Sequence, residues 1–411
     1  MQSSMLPTPP SRVGLVLAGG SARGAYEVGI VRYILERISR ELGQDVPLDV
    51  ISGTSAGSIN AVMLAARADR PVERGVLLER QWTGLELEDI VRPSPGQIFR
   101  FAARLAGRGM MKGGRGGLFD PSGIERVVRN AVPFGAIGDH MRAGRLHALS
   151  ISTTHVPSGR TVVFAQRCEG SAPMLGGDPT VIARDAVIRE EHVLASAAVP
   201  VLFPAVEIDG HYYCDGGLRQ NVPLSPARRL GADRLIVINP KYVREMEPTA
   251  AAAAAHERDY PDPFFLLGKT MNALLLDRIE NDIDRLQRLN GVLEAGSRRF
   301  GPAFLPALNK ELVRAGKSPL RPLDVVYVRS SQDIGVLAAE YARSPEFSRR
   351  APGLLGRALR RVAEGETEAD LLSYVLFDGP FAGRLIEIGW SDARARHAEL
   401  TAFFAKRLEL G

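Results

Sequence analysis

The first strong pattern in the chain is a five-residue apolar run, Val13–Leu17, which gives way to small residues over Ala18–Gly24. Apolar positions then recur at Val28, Val31, Ile34, Leu35 and Ile38, near helical spacing. An unbroken apolar run of strand length suits a strand buried on both faces of a parallel sheet, and the later spacing predicts a helix. Leu48–Ala66 repeats the arrangement: a short strand around Val50 and Ile51, a glycine-flanked turn, then a helix. Downstream, Asp120-Pro121-Ser122 opens a helix over Gly123–Val132. Leu146–Thr154 and Thr161–Phe164 read as a hairpin around Pro157-Ser158-Gly159. Asp185–Val199 reads as helical, and Ala205–Ile208 with His211–Cys214 as a second hairpin across Asp209-Gly210. Leu235–Ile238 and Asp324–Val328 read as strands, and the chain from Ile334 onward as helices broken at Asp378-Gly379-Pro380. Repeated strand–loop–helix units predict an α/β fold, a three-layer sandwich with a mostly parallel central sheet flanked by helices.

Other stretches are less regular. Met1–Arg12 is rich in Ser and Pro and is expected to be disordered. Phe99–Phe119 mixes Phe, Leu and Met with Arg, Lys and many glycines. It reads as a surface loop or as a flap that touches a membrane, apolar side chains entering the interface and basic ones meeting anionic headgroups. Thr249–Ala255 is an alanine-rich linker, followed by a charged helical pattern over Phe264–Leu293. The expected organisation is a core unit over 13–330 and a helical C-terminal region over 331–411. Within the core unit the motifs lie in 13–240, a linker and helical insertion in about 241–320, and a closing strand at 324–328.

Composition narrows the function. A 45% hydrophobic content over 411 residues allows a large buried core. The net charge of +5 is spread along the chain and builds no basic stripe, and no nucleic-acid-binding motif is present, so no nucleic-acid partner is expected. Cys168 and Cys214 are the only cysteines, which gives neither a disulfide framework nor metal-ligand spacing and suits a reducing compartment. With no apolar leader and no apolar run of about eighteen residues, a cytoplasmic protein is expected, at most peripheral to the inner membrane.

Three strand-end loops carry the chemistry. Gly53-Thr54-Ser55-Ala56-Gly57 is a G-x-S-x-G between strand and helix, a turn that presents a serine hydroxyl at the sheet edge. Gly19-Gly20-Ser21-Ala22-Arg23-Gly24 is a small-residue loop whose backbone amides can approach a substrate. Asp215-Gly216-Gly217 closes the second hairpin. A serine hydroxyl needs a base to take its proton. A histidine base would follow its acid in an α/β-hydrolase. Downstream of Asp215 there are only His256, in the linker, and His397, in a C-terminal helix. His155, His192 and His211 lie on hairpins or a helix. A Ser55–Asp215 dyad is therefore preferred, with the turn glycines letting the carboxylate come close.

These motifs closely resemble those of the patatin-like phospholipases: Gly-Gly-x-x-Arg-Gly after the first strand, Gly-Thr-Ser-Ala-Gly on the elbow, and Asp-Gly-Gly late in the core. Ala195-Ser196-Ala197-Ala198-Val199-Pro200 with Phe203-Pro204, and Asn221-Val222-Pro223-Leu224, add to the likeness, which covers about Val13–Pro240. The resemblance implies a lipid acyl hydrolase of phospholipase A or lysophospholipase type. Ser55 would be its nucleophile and Asp215 its base. The loop of Gly19, Gly20, Ser21, Ala22, Arg23 and Gly24 would form the oxyanion hole, Arg23 helping to hold it. Gly53, Gly57, Gly216 and Gly217 would support the turns. The implied partner is a phospholipid or other acyl lipid met at a membrane surface, with no cofactor and no metal. One position departs from the family pattern: Ser21 stands where a third consecutive glycine is usual, and serine disfavours positive φ.

Other readings are weaker. A dinucleotide fingerprint would need a glycine at Ser21 and leaves the other two loops unexplained. A soluble carboxylesterase or thioesterase could use the same dyad, and a non-catalytic lipid-binding or scaffolding module could keep the fold. Oligomeric state, headgroup and acyl-chain preference are left open.

Overall fold

The strands, in chain order, are β1 (Val13–Leu17), β2 (Val50–Thr54), β3 (Ala148–His155), β4 (Thr161–Arg167), β5 (Val181–Asp185), β6 (Val206–Ile208), β7 (His211–Asp215), β8 (Arg234–Asn239) and β9 (Asp324–Arg329). They form one sheet in the order β5-β4-β3-β2-β1-β8-β9, with β7 paired to β3 and β6 to β7. The computed structural model describes residues 11–94, 96, 116–171, 181–243, 268–270, 279–316, 319–365 and 370–409. The N-terminal tail up to residue 10, most of Phe99–Phe119, the alanine-rich linker and residues 264–267 and 271–278 of the long helical pattern lie outside the described residues.

The apolar runs became buried strands as their composition demands. β1 pairs in parallel with β2 and β8, β2 with β3, β8 with β9, and β4 with β5. Among the strands of the described residues, the β3–β4, β3–β7 and β6–β7 pairs are antiparallel. Alternate side chains of β1 serve opposite faces. Leu15 and Leu17 join one core with Tyr26 and Ile30 of α1 (Ala25–Tyr33) and Val62 and Leu64 of α2 (Ala56–Ala65). Val16 joins the other, with Leu235 and Val237 of β8 and residues Leu224 and Ala227 of a short helix after β7. Fully burying one such leucine or isoleucine contributes roughly 1.5–3 kcal/mol, so a sheet covered on both faces is the main source of stability. The result is a three-layer α/β fold.

The C-terminal helices belong to the α1 side. The helix Gly379–Ala395 lies against α1 so closely that a side chain on Gly29 would run into the Ile386 carbonyl, and one on Gly389 into that of Tyr26. Tyr26 Oη donates to Asp392 Oδ2 at 2.8 Å across this contact. Among the described residues no helix is long and apolar enough to cross a membrane.

One expectation needs correcting. Asp185–Val199 is not one helix: Asp185 ends β5, and the helix is shorter, Glu190–Ser196. The reason is long-range. Val181 and Ile182 complete a half-buried edge by pairing with Thr161 and Val162 of β4, which local helical spacing cannot reveal.

Candidate active site

Strand register brings Ser55 and Asp215 together. On one edge β3 pairs with β4 from Ala148 to Thr154. On its other edge β2 runs parallel and stops at the Thr54–Ser152 pair. The same edge is then taken by β7, which runs the opposite way and stops at the Thr153–Asp215 pair. The two strands thus meet end to end, and the first residue after one faces the last residue of the other. Ser55 Oγ donates to Asp215 Oδ2 at 2.6 Å. The side chains come from positions 160 residues apart and are almost fully buried, at 4% and 1% exposure.

The elbow that carries Ser55 is strained and tightly held. Ser55 has φ 53° and ψ −127°, a conformation that costs a non-glycine residue about 1–3 kcal/mol and persists only where its surroundings impose it. Here the Ser55 N–H donates to Ser196 Oγ at 2.9 Å, and Ser196 Oγ donates to the Ser152 carbonyl at 2.7 Å. Ser58 Oγ donates to the Ser55 carbonyl at 2.6 Å. Gly53 and Gly57 are needed because the strand, the turn and β1 cross without clearance: a Cβ on Gly57 would lie 2.5 Å from the Leu17 carbonyl oxygen.

Asp215 is held as firmly. Its Oδ1 accepts the Gly217 N–H at 2.7 Å, its own N–H donates to the Ala198 carbonyl, and Thr154 Oγ1 donates to its carbonyl. Gly216 lets the turn press on the Ser152 carbonyl. Burial raises the carboxyl to about 6, while the bonds from Ser55 and Gly217 hold it down. A carboxylate with that value is ionised at neutral pH and still basic enough to take a proton.

The loop after β1 lies against Ser55. A Cβ on Gly19 would run into the Asn221 side-chain amide and lie 3.1 Å from the Ser55 Cβ. The Gly19 N–H is already used, donating to the Asn221 backbone carbonyl at 3.0 Å, and its carbonyl accepts from Asn221 Nδ2 at 3.1 Å. Ser21–Gly24 form one 3₁₀ turn, in which the Arg23 N–H donates to the Gly20 carbonyl at 3.0 Å. The N–H groups of Gly20, Ser21 and Ala22 stand at the open N-terminus of that turn, where no intrahelical acceptor exists. The N–H groups of Gly19 and Arg23, by contrast, already have backbone acceptors. Gly24 packs on Ala56, and its carbonyl accepts from Asn60 Nδ2.

Ser21 adopts φ 50°, the left-handed geometry that the missing third glycine would have entered freely. The strain costs a side-chain-bearing residue roughly 1–2 kcal/mol. Part of the gain from removing it is offset by the flexibility glycine adds to the unfolded chain. Ser21→Gly is therefore expected to raise stability by about 0.5–1 kcal/mol in urea unfolding; a loss of stability would show that the loop carries no strain there.

No described histidine bonds either member of the pair. His155 bonds Ser158, His192 accepts from the Arg189 N–H, and His397 bonds Tyr33; His256 lies outside the described residues. Two residues with structural roles at the site, Ser196 and Asn221, stand in the segments that resemble the family without having been assigned a task. The signal for them was a polar residue among small and apolar ones, Ser196 at the end of the helix Glu190–Ser196 and Asn221 in the loop ahead of Val222-Pro223.

The family model for patatin-like phospholipases matches residues 15–228. That is just over half of the chain, and the chain belongs to this family. A lysophospholipase of Aspergillus terreus is 42% identical over 57 residues, which are 14% of this chain and 3% of that protein. A patatin-like phospholipase domain-containing protein of Caenorhabditis elegans is 40% identical over 57 residues, 14% of this chain and 4% of that one. The chain thus spans only a small fraction of the length of these relatives. YjjU of Escherichia coli is 25% identical over 279 residues, 63% of this chain and 65% of its own length. Among solved structures, VipD from Legionella pneumophila aligns with a TM-score of 0.31 and 14% identity, over 92% of this chain and 67% of that one.

Proposed function

We propose that the protein hydrolyses the fatty-acyl esters of phospholipids or lysophospholipids through a Ser55–Asp215 dyad. The observation that carries the reading is the bond from Ser55 Oγ to a buried, ionisable Asp215 at 2.6 Å, on a strained elbow beside an open helical turn. Asp215 takes the hydroxyl proton as Oγ attacks the acyl carbonyl. The carbonyl π electrons move to oxygen, and the amides of Gly20, Ser21 and Ala22 receive that oxyanion. Collapse breaks the ester C–O bond; the alcohol leaves with the proton returned by Asp215, and the acyl group stays on Ser55. Water, deprotonated by the same carboxylate, then releases the fatty acid. Removing a single preorganised donor from such a hole costs on the order of 10²–10³ in rate, so the loop geometry matters as much as the dyad. The family and the lysophospholipase relatives support a lipid substrate.

The test is mass-spectrometric product analysis after incubation with mixed phospholipid vesicles, alongside labelling with a fluorophosphonate. Free fatty acid and lysophospholipid or glycerophosphodiester should accumulate, and peptide mapping should find the phosphonate on Ser55. Folded protein that takes no label would remove the serine mechanism. Labelled protein that cleaves short esters but no vesicle lipid would leave the dyad and reject the substrate class.

A further inference from the structure

Arg23, the third residue of the Ser21–Gly24 turn, is 3% exposed and reaches into the C-terminal part of the chain. Its Nη2 meets Asp370 Oδ1 at 2.9 Å, and its Nε donates to Ser373 Oγ at 2.7 Å. Its guanidinium carbon lies 4.3 Å from the centre of the Tyr374 ring. All three partners stand on one short helix, Asp370–Val375, and are buried at 4%, 0% and 1% exposure. Ser373 Oγ in turn donates to the Asp370 carbonyl, so a single hydroxyl ties the helix end to the arginine. Lys269 Nζ approaches the second Asp370 oxygen at 3.0 Å. These contacts bridge about 350 positions, and the partner residues lie beyond the stretch the family model matches.

Burying two charges is costly, and such a pair adds little net stability over apolar residues of the same size. What it does supply is a fixed location for a planar, multiply bonded guanidinium. The turn needs that. Its first residue, Ser21, sits at φ 50°, a geometry that relaxes unless both ends of the turn are pinned. Asn221 pins the Gly19 end through both its backbone carbonyl and its side-chain amide. At the Arg23 end the guanidinium is held by Asp370, Ser373 and Tyr374.

We propose that Asp370 and Ser373 are positioning residues for the esterase reaction: they hold Arg23, and through it aim the Gly20–Ala22 amides at the oxyanion. The catalytic consequence rests on the proposed function; the holding of the loop does not.

The experiment uses full-length Asp370→Asn and Ser373→Ala proteins with two readouts, amide hydrogen exchange and hydrolysis of p-nitrophenyl butyrate. Asp370→Asn keeps the size of the side chain but removes the charge that Arg23 meets. Exchange in peptides covering Ala18–Ala25 should quicken by about tenfold while peptides from β8 stay as in wild type. On the ester, kcat should fall about 10- to 100-fold with KM within about twofold, as expected when donors are misplaced without loss of the binding surface. Ser373→Ala leaves the ion pair in place, so it should move both readouts the same way by about threefold; it carries the test alone if Asp370→Asn does not fold. Unchanged loop exchange in a folded variant overturns the proposal, as does a rise in KM with kcat intact. A loosened loop in a protein whose wild type cleaves no ester supports the latch and removes the hydrolase reading instead.

Discussion

Replacing Ser55 by alanine is expected to lower kcat/KM for ester hydrolysis by at least about 10⁴-fold and to abolish fluorophosphonate labelling. The loss is this large because, among the described residues, Ser55 Oγ is the one side-chain hydroxyl bonded to the Asp215 carboxylate. Without it the carboxylate could at most activate a water directly. Stability separates two versions of the change. Alanine keeps the Cβ that makes φ 53° costly and leaves Asp215 Oδ2 without its donor. Glycine also loses the hydroxyl but relieves the strained backbone. Ser55→Gly should thus be more stable than Ser55→Ala by about 1 kcal/mol, with both inactive. Thermal unfolding and a labelling gel decide it. Residual activity above one per cent of wild type in Ser55→Ala would mean that another group is the nucleophile.

The site was legible in the sequence where its signals are local. The pair Gly19-Gly20 after one apolar run, and Gly53 and Gly57 on either side of Ser55 after another, marked the turns at the ends of β1 and β2, because parallel strands buried on both faces are continuously apolar and their ends must turn sharply. Asp209-Gly210 marked the turn of a hairpin that Asp215-Gly216-Gly217 ends, and the hairpin is the antiparallel pair β6–β7. Ser21 stood out as the wrong residue for a left-handed position, and it holds φ 50°. What sequence did not yield depends on pairing at a distance. That β2 and β7 share one edge of β3 follows from sheet order, which no local pattern encodes. The strand Val181–Asp185 is half exposed and mixes Arg and Asp with two β-branched residues, so its character is supplied by β4. The partners of Arg23 come from a helix that carries no motif. Gly19 was read as an oxyanion donor along with its neighbours; only the fold reveals that Asn221 already takes its N–H.

Replacing Asp215 by asparagine should separate catalysis from stability. A general base contributes on the order of 10²–10⁴ in rate, so under the proposed mechanism Asp215→Asn is expected to lose about a thousandfold in kcat. The Asp215 folded-state value of about 6 lies above the usual 3.8, and burial is the main cause. The folded protein therefore binds this proton more tightly than the unfolded chain does. The stability this gives is present below about pH 4 and is lost as pH rises towards 6. At neutral pH the ionised carboxylate costs the fold roughly 3 kcal/mol. Asparagine is neutral throughout and still offers an oxygen to Gly217 or Ser55. The variant should be more stable than wild type at pH 8, by about 1–3 kcal/mol, with the difference closing near pH 4. In wild type the same carboxylate sets the acidic limb of the rate profile: kcat/KM should be half-maximal near pH 6 and fall about tenfold per unit below it. Urea unfolding and ester kinetics across pH 4–8 check both halves. An Asp215→Asn protein less stable than wild type by the same amount at every pH would show that the carboxylate is not held at a cost. A wild-type rate that is flat down to pH 5 would mean that some other group takes the serine proton.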